Sequence, residues 1–247
     1  MDLQHFRAPN TTSRLVGRAR AVYRAIRDRR FVGAYELECP ICRYTGLFKW
    51  YGDPPRRDAQ CPHCRSLERH RLLKLWFDQN EARLRGGTAL HFAPEPGVTR
   101  IFKPAAGRYV TADISPDRAD RVLNIEDMPG EKSGEYDWIL CSHVLEHVDD
   151  RKALAELHRI LKPGGMLIIM IPIVEGWPAT CEDADVRSED HRAKYFGQND
   201  HVRYYGSDVR RRITQANLVL DEFTAVEPNV SRYGLTRGEK VFVATRQ

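Results

Sequence analysis

The sequence predicts an α/β protein: a mostly parallel, doubly wound sheet with helices on both faces and a closing antiparallel strand, fronted by a small cysteine-rich ribbon. Three observations carry this prediction. Short apolar or β-branched runs alternate with helical runs from Thr88 onward, two Cys-x-x-Cys pairs precede them, and no apolar run reaches the roughly 18 residues of a membrane span. At 247 residues a chain buries about 70% or more of the surface its unfolded form exposes, so the core needs no disulfides and the six cysteines need another explanation.

The chain begins with a basic arm, residues 1–34. Residues 1–35 hold eight arginines and two acids, so the net charge of +5 is concentrated there and the remaining body is near neutral. Leu15, Ala19, Val22 and Ile26 form one apolar stripe, which predicts an amphipathic helix. Such an arm can dock on its own domain or contact an anionic partner, while a near-neutral body argues against a continuous phosphate-binding surface. Met1 to His5 lacks the basic-then-apolar pattern of a secretion signal, which points to a reducing, cytoplasmic location.

Residues 35–66 carry Cys39-Pro-Ile-Cys42 and, eighteen residues later, Cys61-Pro-His-Cys64. Two thiol pairs at this spacing can close a tetrahedron around zinc with sulfurs at about 2.3 Å. Four thiolates leave no open ligand position, so the expected zinc is structural. Cys141 and Cys181 lie far away and read as ordinary residues.

The main domain is expected over 67–247. Ser66 reads as the N-cap of a helix through Leu72, Leu73, Trp76 and Phe77, ending near Gly86-Gly87. Strands are expected at Thr88–Phe92, Arg108–Asp113, Asp137–Cys141 and Met166–Ile171, with a helix over Asp150–Leu161 turned back by Lys162-Pro-Gly-Gly165. A helix at 207–216 and an antiparallel pair, 218–226 with 240–245, close the chain. Ligands of an open parallel sheet sit beyond the carboxyl ends of its strands, where Asp113 can accept hydrogen bonds from paired hydroxyls.

The segment Tyr136-Asp-Trp-Ile-Leu-Cys-Ser-His-Val-Leu-Glu-His-Val148, followed by Arg159-Ile-Leu-Lys-Pro-Gly-Gly165, resembles the class I S-adenosylmethionine-dependent methyltransferases, in particular the type-11-like group with an LEHV stretch and an LKPGG turn. The resemblance covers about residues 88–172 and implies a Rossmann-like fold with S-adenosylmethionine as cofactor. It places Asp113 on the ribose, Asn124 and Ile125 on the adenine, and Ser142 at the cofactor-facing end of its strand. The glycine loop departs from the family: its acid and three glycines are here His91, Ala93, Glu95 and Gly97. Glu95 can pair with the ammonium of the cofactor but would repel a pyrophosphate, which favours a sulfonium over a dinucleotide.

Residues 172–206 are long for a connection and are expected to form a substrate lid. Their seven acids against four bases give an acidic mouth, poorly matched to a polyphosphate and better suited to a glycan or small metabolite. A hydroxyl acceptor needs a base near neutral pH. His201 is the first candidate and His143 the second, with Asp190, Arg203 and Tyr204 as substrate contacts; Glu146 and His147 are read as fixing the turn into the next helix. The expected activity is O-methylation. Two other readings stand beside it: an RNA methyltransferase gripping RNA through ribbon and arm, and a non-catalytic zinc-ribbon binding module with a degenerate cofactor loop.

Overall fold

The computed structural model describes residues 32–52 and 54–247, so the expected arm helix lies outside the described residues. Strands β1 (Val32–Glu38), β2 (Thr45–Tyr51) and β3 (Arg56–Gln60) form a three-stranded antiparallel sheet. Each cysteine pair forms a tight turn at one end of it. In the first, Arg43 N–H donates to Cys39 O, and in the second Arg65 N–H donates to Cys61 O; both arginines take left-handed φ, 61° and 62°.

Helix α1 (Glu68–Leu84) follows, and its cap corrects the sequence reading. Leu67 is the N-cap, and its N–H is answered by Nδ1 of His70 at 3.2 Å. Ser66 instead turns its hydroxyl toward sulfur, 3.4 Å from Cys39 Sγ and 3.2 Å from Cys64 Sγ. The first turn of α1 therefore serves the ribbon, while Leu72, Leu73, Trp76 and Phe77 further along pack on the main sheet. Burying each such side chain contributes about 1.5–3 kcal/mol.

The main sheet has seven strands in the order β11-β12-β8-β7-β4-β5-β6. They are β4 (Thr88–Phe92), β5 (Arg108–Asp113), β6 (Arg121–Val122), β7 (Tyr136–Ser142), β8 (Leu161–Met170), β11 (Leu218–Thr224) and β12 (Lys240–Arg246). β12 runs antiparallel to both neighbours, and the other pairings are parallel. The doubly wound sheet and its antiparallel closure agree with the sequence prediction. Alternate residues face two separate cores: Leu90, Ile139, Leu167 and Phe242 on one side, Ala89, Trp138, Ile168 and Val243 on the other. The first core is covered by α3 (Asp150–Ile160) and α5 (Val209–Gln215), the second by α1 and α2 (Pro96–Phe102).

β8 begins earlier than expected. It pairs from Leu161, then bulges, because Tyr136 faces Leu161 whereas Trp138 faces Met166. The Lys162-Pro163-Gly164-Gly165 turn supplies the bulge: Gly164 has φ +75°, and a Cβ on Gly165 would lie 2.8 Å from Lys162 O.

Residues 172–206 fold as an excursion whose ends lie side by side. Ile173 bridges Tyr205, β9 (Cys181–Glu182) pairs with β10 (Arg203–Tyr204), and α4 (Glu189–Phe196) lies between. Two of its acids are tied down: Glu175 pairs with Arg210, and Glu182 with Arg203 of β10 and Arg212, which pins the excursion to α5; Asp183, Asp185, Glu189, Asp190 and Asp200 stay exposed. At the chain end, the short helix α6 (Asn229–Tyr233) leads into β12.

One buried cation joins ribbon and main domain. Arg71 of α1 is fully buried and its guanidinium donates to five carbonyls, those of Asp58, Ala59, Ser66, Tyr233 and Gly234. It also lies 4.8 Å over the Phe48 ring.

Candidate functional site

The chain order reverses between β4 and β7, the switch point where an open α/β sheet binds ligands beyond its strand ends. Both strands are followed there by a non-glycine residue with left-handed backbone: Ala93 at φ 47° and His143 at φ 54°. This conformation costs an L-residue about 1–2 kcal/mol. At Ala93 it lets the chain turn sharply out of β4, and at His143 it turns the chain after β7 beside the cavity.

The residues expected to hold a cofactor line this edge unevenly. Asp113 ends β5 and is nearly buried; its Oδ1 accepts from Ser115 N–H at 2.8 Å, and no described residue bonds its Oδ2. Asn124 lies just beyond β6, its Oδ1 accepting from Glu126 N–H at 3.1 Å. Ile125 is buried in the first core. Ser142 is buried at the end of β7, and its Oγ has no partner among the described residues. His91 is buried against Tyr109, with 2.7 Å between Nδ1 and the phenol oxygen, and desolvation lowers its pKa to about 4.

Glu95 is already paired. Arg69 Nη2 donates to it at 2.7 Å, and His70 Nε2 lies 2.9 Å away. Burial pushes the Glu95 carboxyl up, but the bonds and charges of His70 and Arg69 outweigh it and hold the group at about 2. The carboxylate thus ties the loop after β4 to α1. Gly97 opens α2 beneath it, where an added Cβ would lie 3.7 Å from His70 Nδ1.

A cavity of about 370 Å³ opens beside His143. Its walls come from β3 and α1 (Arg56, Glu68, Arg69), the loop after β7 (His143, Glu146, His147), the excursion (Gln198, His201) and the loop before β12 (Thr236, Glu239). His143 Nδ1 lies 3.1 Å from Glu146 Oε1. A carboxylate only accepts, so Nδ1 carries the proton and Nε2 carries a lone pair. His143 Nε2, Glu146 Oε2 and Glu239 Oε2 are buried atoms without a hydrogen-bond partner among the described residues. Such orphans carry a desolvation cost of about 1–3 kcal/mol each, so their concentration at one cavity marks a place prepared for a ligand. Burial also raises the Glu239 carboxyl to about 7, against the pull of His143, Arg69 and Arg71.

His201, the first expected base, is buried. Its Nδ1 lies 3.0 Å from Phe196 O, and its ring meets that of His147 edge-on at 4.7 Å between centroids. Desolvation lowers its pKa. Glu146 and His147, read from sequence as fixing a turn, lie in the same cavity. Arg203, expected from sequence as a substrate contact, does not line this cavity. Its guanidinium is buried, bonded to Leu145 O and Glu182 and, closer still, to Val148 O, and it anchors the excursion. Tyr204 packs edge-on against Trp177 and His201, and Asp190 is exposed on the first turn of α4, outside the cavity wall.

The second site is the ribbon. Ligand atoms of Cys39, Cys42, Cys61 and Cys64 all lie within 4.8 Å of one another, with Cys39–Cys64 and Cys42–Cys61 sulfurs 3.6 Å and 3.7 Å apart. A tetrahedron of sulfurs at about 2.3 Å from zinc has edges of about 3.8 Å, so the four thiols fit that ion. The thiols share their protons unequally: hydrogen bonding from Cys61 and then Ser66 draws Cys39 down against burial, while the hydrogen bond to Cys39 pushes Cys61 up and burial pushes Cys42 up.

Sequence reasoning passed over Glu239 as a cavity group and Arg71 as a joint. Glu239 could have been sought as a charge beside Gly238, and Arg71 as a charge at an otherwise apolar position of α1.

Residues 97–169 match the family model described as "Methyltransferase domain". A ubiquinone biosynthesis O-methyltransferase of Xanthomonas oryzae is 35% identical over 83 residues, 33% of this chain and 32% of the relative. The chain thus matches about a third of the length of that relative. An S-adenosylmethionine-dependent methyltransferase structure from Mesorhizobium loti aligns with a TM-score of 0.50 at 12% identity, covering 70% of this chain and 98% of that one. One from Archaeoglobus fulgidus aligns at 0.50 and 12%, covering 72% and 94%. At these identities the structures establish the shared Rossmann-like fold.

Proposed function

From the premise of a type-11-like methyltransferase domain set in this Rossmann-like sheet, we propose that the protein transfers a methyl group from S-adenosylmethionine to a hydroxyl of a small neutral acceptor, a glycan or small metabolite. The observation that carries the reading is His143: strained backbone at the switch point, Nδ1 held by a fully buried carboxylate, and Nε2 without a partner among the described residues, beside the cavity. An imidazole oriented by a carboxylate is the arrangement of a general base.

Asp113, Asn124, the Ala93 turn and Ser142 are the residues that would hold the cofactor. Asp113 fits best, because Ser115 fixes one of its oxygens and leaves the other for a ribose hydroxyl. Bound there, the sulfonium supplies an electrophilic methyl carbon. His143 Nε2 takes the proton of the acceptor hydroxyl as its oxygen attacks, and Glu146 stabilises the imidazolium that forms. Glu239, protonated below about 7, donates a hydrogen bond to a second acceptor oxygen. The walls need only align the acceptor, since in-line displacement depends mainly on positioning.

Calorimetry with S-adenosylhomocysteine tests the cofactor half. Asp113→Ala should raise the Kd about ten- to a hundredfold, the loss of charge-assisted bonds worth about 1.5–3 kcal/mol, with unchanged far-UV circular dichroism. No heat from the wild type would return the chain to the reading of a non-catalytic ribbon module. His143→Ala should lower kcat while leaving that Kd within about twofold, and an unchanged kcat would remove it as the base.

A further inference from the structure

Three side chains of the cavity wall make an arrangement that methyl transfer does not require. Glu146 and His147 follow β7, and His201 comes from the excursion more than fifty residues later in sequence. Each offers a ligand atom, and the three atoms lie within 4.8 Å of one another.

Their hydrogen bonds decide which atoms are offered. His201 Nδ1 lies 3.0 Å from Phe196 O and His147 Nδ1 lies 3.3 Å from Asp200 O. A carbonyl oxygen can only accept, so both Nδ1 atoms carry protons and both Nε2 atoms carry lone pairs. Metal-bound histidines are commonly set in this way, with the second nitrogen donating to a carbonyl that fixes tautomer and ring angle. Glu146 is fully buried, its Oε1 serves His143, and its Oε2 has no partner among the described residues. A buried carboxylate oxygen with nothing to accept from is costly unless a cation answers it.

We propose that Glu146, His147 and His201 bind a divalent first-row transition ion of the zinc class, at a second metal centre separate from the four cysteines. Two imidazoles and one carboxylate favour such an ion over magnesium or calcium, which prefer all-oxygen shells. Ligands around one ion at about 2.1 Å stand roughly 3.0–3.4 Å apart, so the site closes by side-chain rotations of about an ångström. Three protein ligands leave positions open toward the cavity, unlike the closed thiolate site. There the ion can take an acceptor oxygen and lower its pKa while His143, on the other oxygen of the same carboxylate, receives the proton. That last role rests on the methyl-transfer reading. The existence of the centre does not, and it is tested without cofactor or acceptor.

The test is metal stoichiometry of the full chain by equilibrium dialysis against Zn²⁺, followed by elemental analysis and repeated with Co²⁺ for its absorption spectrum. The wild type should hold two equivalents: one with the intense sulfur-to-cobalt charge-transfer bands of a thiolate site, one with only weak ligand-field bands. His147→Ala and His201→Ala should each weaken the second equivalent at least about a hundredfold, since loss even of outer partners costs ten- to a hundredfold. The thiolate bands should persist and show that the variants are folded. Should His201→Ala unfold, half-exposed His147, replaced by Ala or Gln, still decides the matter. One equivalent in the wild type at saturating Zn²⁺ overturns the proposal, as does a second equivalent that survives both histidine substitutions.

Discussion

The four-cysteine ribbon and the cavity at the end of β7 are both clusters of titratable side chains, yet they are finished to different degrees. In the ribbon the sulfurs lie at tetrahedral spacing, Ser66 bonds two of them, and paired turns close the backbone around them. In the cavity, His143 Nε2, Glu146 Oε2 and Glu239 Oε2 are left without partners among the described residues, as is Ser142 Oγ at the end of β7. A site that only holds structure completes its interactions internally, whereas a site that works on something else keeps atoms in reserve.

The largest expected effect separates the two. The four cysteines are expected to hold zinc, so Cys61→Ser, or strong chelation, should release it and cost several kcal/mol, given that structural zinc supplies about 10–16 kcal/mol of apparent binding energy in small domains. Thermal unfolding followed by near-UV circular dichroism should show the loss. An unchanged Tm would mean that the ribbon folds without metal and that the contrast is false.

Arg71→Met comes next. It removes five hydrogen bonds from a charged donor and leaves five carbonyls short of a partner, which should cost about 3–5 kcal/mol in urea unfolding. A cost below about 1 kcal/mol would show that ribbon and main domain are joined elsewhere.

A smaller, pH-dependent effect belongs to the cavity. Burial raises Glu239 from its ordinary 4.5 to about 7, so the folded chain holds this proton more tightly than the unfolded one. Its contribution is complete below about 4.5 and is lost as pH rises through about 7. Glu239→Gln should therefore flatten the decline of the urea midpoint between pH 5 and 8, and parallel curves would place the carboxylate in contact with water or a partner. The smallest change expected is Asp149→Ala. Asp149 caps α3 by accepting from Arg151 and Lys152 N–H, and its loss should cost about 1 kcal/mol in urea unfolding.

The limits of sequence reading follow the same divide. Strands β4 and β5 fall at their expected bounds because β-branched runs between turn residues are local signals. The cysteine pairs are equally local. Arg203 and Glu182 read as charges of an exposed mouth, because sequence does not show that they meet each other and the carbonyls of the loop after β7. Ser66 reads as a helix cap for want of any hint that two sulfurs lie beside it. Glu239 stands 93 positions after Glu146 and enters the cavity only because β12 returns beside β8. The polar core of the candidate site is thus a product of topology, which no spacing rule records.

Arg71 has a bearing on how the cavity can be entered. By bonding carbonyls on both sides of the junction it locks Arg56, Glu68 and Arg69 to the sheet as a fixed wall. Across the cavity from that wall, the excursion carrying Gln198 and His201 is tied to α5 by the Glu175–Arg210 and Glu182–Arg212 ion pairs and to the loop after β7 by Arg203 on Leu145 O and Val202 N–H on Glu146 O. Rising salt, by weakening the pairs to α5, should loosen that flank before it loosens the wall that Arg71 holds by buried hydrogen bonds.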